Sequence, residues 1–208
     1  MRHLQIKTAD NHDATLWFLG WGFDGHLADF LPEEGNVMAL WDYTTLEDKT
    51  LNLSPWQEVE VKAWSMGVWA AEAFMRLHPE VRVKKATAFC GTPVPADATR
   101  GIGAEAIRLT IDHFDEANRD KFARKIAISP QLAATVRALL AHRDAADQKA
   151  ELEAILAAQA DVDEASHRTW DLAVTGLRDR IFPPAAQRLW WASHAKETEE
   201  RDCPHWPF

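Results

Sequence analysis

Five consecutive residues, Ala63-Trp64-Ser65-Met66-Gly67, constrain this chain more than any other stretch. They follow the alternating run Val59-Glu60-Val61-Lys62-Ala63, which reads as a strand. They precede a helical run, Val68 to Leu77, that stops at Pro79. A serine on a sharp strand-to-helix turn has its hydroxyl exposed at the carboxyl end of a sheet. The backbone N–H of the next residue then points at a reacting carbonyl. The usual pattern is G-x-S-x-G, and here Ala63 replaces the first glycine, still small enough for close strand–helix packing. A serine that only caps a helix fits the same five residues, so the rest of the chain must decide.

Other strand-like runs surround this turn. Ala14 to Leu19 is apolar and stops at Gly20-Trp21-Gly22; Asn36 to Trp41 is entered from Gly35. Thr87 to Cys90 closes on Gly91-Thr92-Pro93, Asp171 to Thr175 closes on Gly176, and a weaker run spans His194 to Arg201. With a helix from Met66 to His78 between the third and fourth runs, the alternation predicts an α/β fold: a mostly parallel central sheet with helices on both faces. From about Asp97 to Arg168 the alternation lapses. Helical patterns begin at Glu105, Asn118, Gln131 and Gln148, the last with Leu152, Ile155 and Leu156 on one stripe. One domain of residues 1–208 with a helical lid inserted at about 97–168 is expected, lying over the carboxyl ends of the strands where ligands bind.

Composition narrows the class. No apolar run approaches the roughly 20 residues of a membrane span, and Met1-Arg2-His3-Leu4 does not begin a signal peptide. A cytoplasmic protein with no membrane association is expected. Cys90 and Cys203 have no zinc-site spacing, so neither a metal nor another cofactor is expected. The net charge of −9 argues against nucleic-acid binding. The segment Ala117 to Arg143 nevertheless holds six cations (Arg119, Lys121, Arg124, Lys125, Arg137, Arg143) against Asp120 alone. That +5 leaves −14 on the remainder, and it reads either as a solvated helical face or as a docking surface for an acidic partner.

A serine nucleophile needs a base to take its proton and an acid to orient that base. In the α/β-hydrolase order these follow the serine as Asp or Glu, then His. Asp179 lies three residues past Gly176, after the fifth run; Asp171 sits at the wrong end of it. His205 lies in Cys203-Pro204-His205-Trp206-Pro207-Phe208, a tail too rich in Pro and aromatic residues to fray. His194 precedes the last strand, while His12, His78, His113, His142 and His167 fall in less suitable places. For the oxyanion hole, one donor is expected from the Met66 N–H at a helix amino end. The other is expected from Trp21 in the Gly-Trp-Gly loop. Trp21, Trp64 and Trp206 flank the site and are candidates to wall an apolar acyl pocket.

Together, Phe18-Leu19-Gly20-Trp21-Gly22, Ala63 to Val68, Gly91-Thr92-Pro93, Gly176 to Pro183 and Pro204-His205-Trp206-Pro207-Phe208 make the chain resemble the BioG-type pimeloyl-[acyl-carrier protein] methyl ester esterases over its whole length. The resemblance implies removal of a methyl ester from the far end of a pimeloyl chain held on acyl carrier protein, in biotin biosynthesis. It implies Ser65 as nucleophile, His205 as base, Asp179 as orienting acid, and Trp21 and Met66 as oxyanion donors. An acidic carrier gives the basic segment a purpose, with Arg119, Lys121, Arg124 and Arg143 as candidate contacts and a monomeric enzyme expected. Two other readings stand beside it: a thioesterase or general carboxylesterase of the same fold, and a non-catalytic binding protein built on it.

Overall fold

Seven strands form one sheet in the computed structural model, which describes residues 1–159 and 168–208. The strands are β1 (Arg2–Lys7), β2 (Asp13–Phe18), β3 (Asn36–Trp41), β4 (Glu58–Trp64), β5 (Val83–Phe89), β6 (Trp170–Gly176) and β7 (Ala195–Arg201). Their order is β1-β3-β2-β4-β5-β6-β7, with every neighbouring pair parallel except β1 against β3. Because β2 lies between β3 and β4, the winding reverses at its carboxyl end. In parallel α/β sheets that reversal opens the crevice in which ligands bind.

Side-chain alternation sorts the core onto two faces. Leu16, Phe18, Val61, Ala63 and Ala88 point to one side. They meet α1 (Gly67–Leu77) through Phe74 and α6 (Pro184–His194) through Trp190 and Trp191. Trp17, Leu19, Val37, Ala39 and Trp64 point to the other side. There they meet a 3₁₀ helix (Gly25–Phe30), its flanking Phe23 and Leu31, and the tail residues Trp206 and Phe208. The Trp206 ring lies 5.5 Å from Trp64 and 5.4 Å from Phe30, so the tail is part of the core.

Among the described residues, four helices are inserted between β5 and β6: α2 (Ala104–His113), α3 (Arg119–Ile126), α4 (Pro130–Leu140) and α5 (Ala145–Ala158). All four lie inside the stretch read as helical from sequence. Residues 160–167 of that stretch, His167 included, lie outside the described residues. The start of α4 shows the local logic. Ser129 is extended and its hydroxyl accepts the Leu132 N–H at 3.1 Å, while Pro130 enters the first turn with φ already set. Trp21 fastens the insert to the sheet: its ring packs edge-on against Phe114 at 4.9 Å and Phe122 at 5.0 Å. Such pairs contribute about 0.5–1.5 kcal/mol each beyond area burial.

Besides the short 3₁₀ helix, two elements were not legible in the sequence. The edge strand β1 is largely polar and half exposed, so no buried face marks it. Helix α6 opens on Pro184, which suits a first helical turn but reads from sequence as part of a loop.

Candidate active site

Ser65 sits where β4 turns into α1, with φ of +60°, a conformation a non-glycine residue adopts at a cost of about 1–3 kcal/mol. Two hydrogen bonds hold it there. Its N–H donates to Phe89 O at 3.0 Å and its carbonyl accepts the Val68 N–H at 3.1 Å. Gly67 completes the turn, since a Cβ there would run into the carbonyl oxygens of Phe18 and Leu19 at the end of β2.

The residues read as acid and base come to this serine from two further elements. The Ser65 Oγ lies 2.9 Å from His205 Nε2, and His205 Nδ1 lies 2.8 Å from Asp179 Oδ2. Asp179 follows β6, and its other oxygen accepts the N–H groups of Ile181 at 2.7 Å and Phe182 at 3.0 Å. Those two backbone donors and the Gln187 amide nitrogen, which can only donate, hold the carboxyl group with Oδ2 turned to accept from His205. His205 Nδ1 therefore carries the proton, and Nε2 is left to accept from the serine hydroxyl. All three residues are buried, with His205 only 1% exposed.

Several groups hold this chain of hydrogen bonds. Gln187 of α6, not singled out from sequence, donates to Asp179 Oδ2 at 3.1 Å and to Phe182 O at 2.8 Å. Trp64 Nε1 donates to His205 O at 2.8 Å, and the next residue's N–H, Trp206, donates to Ile126 O at the end of α3 at 3.3 Å. The tail histidine is thus tied both to the sheet and to the insert. The Asp171 carboxylate lies elsewhere, accepting from Ala86 N and Lys196. His194 stacks on Trp190, away from Ser65.

The Gly-Trp-Gly loop is a tight turn. Phe23 N–H donates to Gly20 O at 3.3 Å, and Gly22 has φ of +84°, the value a type II turn needs at its third residue. With the Gly20 carbonyl used inside the turn, the Trp21 N–H on the same trans peptide faces the opposite way. Among the described residues neither it nor the Met66 N–H donates to another protein group. Both border a pocket of about 280 Å³ that reaches Ser65 and His205. Its walls are Trp21, Phe23 and Trp64 with Ile107, Phe122, Ile126 and Leu152 of the insert, and Lys125 and Arg180 are its exposed cations. Trp206 does not line it; that ring packs behind the Trp64 and Phe23 walls.

The basic segment divides in two. Lys121, Arg124, Lys125 and Arg137 are exposed, Arg124 pairing with Asp120. Arg119 and Arg143, expected as surface contacts, are instead buried. Arg143 pairs with the fully buried Glu151 at 2.6 Å and donates to Phe23 O at 3.3 Å. Arg119 binds Glu116, Arg143 O and Gln148 Oε1. Two buried guanidinium groups spent on internal acceptors cannot meet a partner. Arg180, next to the aspartate, joins the exposed set, because it borders both the pocket and an adjoining groove lined by Arg124 and Arg137.

The two cysteines are free and face one another behind the site. A hydrogen bond from Cys90 to Cys203 raises the buried Cys90 thiol well above its usual value. The same bond, helped by Arg201, lowers Cys203 to about 7.

A mostly parallel sheet with a strained serine at the turn after a central strand, and an acid and a histidine after later strands, defines the α/β-hydrolase class. Solved hydrolases share the architecture: an esterase from Exiguobacterium antarcticum superposes with a TM-score of 0.73 over 98% of this chain and 87% of its own, at 14% identity. Within that class the chain belongs to the family described as pimeloyl-ACP methyl esterase BioG, whose model matches residues 2–208. The crystal structure of BioG from Haemophilus influenzae aligns with a TM-score of 0.87 at 30% identity, covering 99% of this chain and 94% of that one. A malonyl-[acyl-carrier protein] O-methyltransferase of Bacteroides fragilis is 31% identical over 93% of this chain, which spans only 39% of that protein's length. Among the described residues no helix is long and apolar enough to cross a membrane.

Proposed function

We propose that this protein is a cytoplasmic, monomeric serine esterase that hydrolyses the methyl ester of pimeloyl-[acyl-carrier protein], releasing methanol and the free carboxylate for biotin biosynthesis. The observation that carries the reading is the continuous relay from Ser65 through His205 to Asp179, opening on a mainly apolar pocket in a chain of the BioG family. His205 takes the Ser65 proton as Oγ attacks the ester carbonyl. The oxyanion forms against the Met66 and Trp21 N–H groups, and His205 returns the proton to departing methoxide. Water activated by His205 then hydrolyses the acyl-enzyme. Each oxyanion donor contributes about 10²–10³ to turnover. The chemistry needs no metal or bound cofactor.

The apolar walls suit a methylene chain, and the carrier-bound end leaves past Lys125 and Arg180. An acidic carrier docks on Lys121, Arg124, Lys125, Arg137 and Arg180; Arg119 and Arg143 take no part. The methyltransferase relative fits this substrate. That protein's name has it methylating a carrier-linked acid, and an enzyme removing such a methyl is its chemical counterpart.

The test is a mass-spectrometric assay of methyl pimeloyl-carrier protein beside a thioester and a free methyl ester. The expected result is methyl ester cleavage that falls by about 10⁶ in Ser65→Ala. Charge reversal at Arg124, Arg137 and Arg180 should slow the carrier-bound substrate while sparing the free ester. Thioester cleavage in preference to the ester makes the protein a thioesterase, and failure of a fluorophosphonate to label Ser65 makes it a binding protein.

A further inference from the structure

The insert does more than roof the pocket: its helix α5 grips the turn that carries the Trp21 N–H. Gln148 and Glu151 lie one turn apart on α5, both fully buried. Gln148 Nε2 donates to Gly22 O at 2.8 Å and to Leu140 O at 2.9 Å, its Oε1 accepts from Arg119 at 3.1 Å, and its main-chain carbonyl accepts Trp21 Nε1 at 2.6 Å. Both donors of that side-chain amide and its oxygen are thereby engaged, which fixes the amide in one orientation. Glu151 Oε2 accepts Arg143 at 2.6 Å and faces the Gly22 N–H at 3.4 Å, while Oε1 accepts the Tyr43 N–H at 2.9 Å. The Tyr43 hydroxyl in turn donates to Leu19 O at 2.7 Å, just before the turn.

Gly22 is thus held on both its amide and its carbonyl by two side chains of one helix, and Trp21 is held by its indole. These bonds set the two peptide planes after Trp21. The turn bond from Phe23 N–H to Gly20 O sets the plane before it, the one whose N–H faces the pocket. A positive-φ glycine turn has other accessible conformations, and rotating that one peptide would replace a donor with a carbonyl.

We infer that Gln148, assisted by Glu151, is a positioning residue that holds the Trp21 N–H in the oxyanion-binding orientation, so the insert completes the catalytic site. The inference rests on the serine-esterase reading above. A group that only orients an oxyanion donor acts on the transition state and leaves substrate binding unchanged.

The experiment compares the wild type, Gln148→Met and Trp21→Phe on a soluble free methyl ester, in the full chain. Trp21→Phe keeps the main-chain N–H and an aromatic ring, and removes the indole bond to Gln148 together with part of the ring surface that faces the pocket. The expected result is a fall in kcat of about 10²-fold for Gln148→Met, approaching the loss of one oxyanion donor. A fall of about tenfold is expected for Trp21→Phe, with KM within about threefold in both. Inhibition by a trifluoromethyl ketone, which presents the tetrahedral oxyanion to Ser65, should weaken in parallel with kcat/KM. Should Gln148→Met not fold, Trp21→Phe decides by the same readouts. Unchanged kcat, or a lower kcat with unchanged trifluoromethyl ketone affinity, overturns the inference. Ser65→Ala separates the two claims: its full activity sinks the serine-esterase reading and this inference with it. An inert Ser65→Ala beside normal Gln148 and Trp21 variants sinks this inference alone.

Discussion

Replacing Asp179 by asparagine changes one atom in a site where every contact of that side chain is known. One carboxylate oxygen accepts two main-chain N–H groups at 2.7 and 3.0 Å; the other accepts His205 at 2.8 Å and Gln187 at 3.1 Å. Backbone amides cannot rotate, so the asparagine oxygen must stay on Ile181 and Phe182. The opposite placement would orphan two buried donors at about 1–3 kcal/mol each. The amide NH₂ is then forced against His205, which must offer Nδ1 as an acceptor and carry its proton on Nε2. A ring donating to Ser65 cannot accept that residue's proton. Turnover should therefore drop by about 10⁴, equivalent to about 5 kcal/mol of barrier, with the fold intact. Initial rates on a soluble methyl ester give the first number, and ¹⁵N spectra of the histidine ring read the tautomer directly. A variant that keeps a tenth or more of wild-type kcat, or that still shows the Nδ1–H tautomer, would refute this reasoning.

Further outcomes follow from contacts elsewhere in the structure. Gly67→Val should destabilise the protein by about 3 kcal/mol or more in urea titration, because the new side chain meets fixed backbone carbonyls. Arg143→Glu should cost at least about 3–5 kcal/mol by leaving Glu151 buried without its partner. Arg137→Glu, on the exposed face, should stay within about 0.5 kcal/mol of wild type in the same titration. Cys203 ionises near 7 in the folded protein, so iodoacetamide should alkylate it with a rate that rises with pH and is half-maximal at about 7. Cys90→Ala removes the stabilising hydrogen bond and should shift that midpoint upward.

What the sequence revealed was what its patterns encode. Parallel strands are written as short apolar or alternating runs bounded by glycine, so β2 to β6 and the order Ser65, Asp179, His205 could be read along the chain. The edge strand β1 has no buried face and left no such trace. Charge counting failed for Arg119 and Arg143, because a count does not separate buried cations from exposed ones. A signal was nevertheless present. Gln148 and Glu151 fall on the same α5 stripe as Leu152 and Ile155, and polar residues on an apolar stripe call for buried partners. Gln187 gave no comparable sign; its role depends on α6 passing behind Asp179, a tertiary fact.

The bond from Trp206 N–H to Ile126 O joins the residue after the histidine to the last turn of α3. Any swing of α3 away from the sheet must break it or draw His205 from Ser65. A swing that spares the bond therefore draws His205 from Ser65, and one that breaks it leaves the histidine held by Trp64 and Asp179 alone. Amide exchange at Trp206 would report how often α3 leaves its place beside the tail.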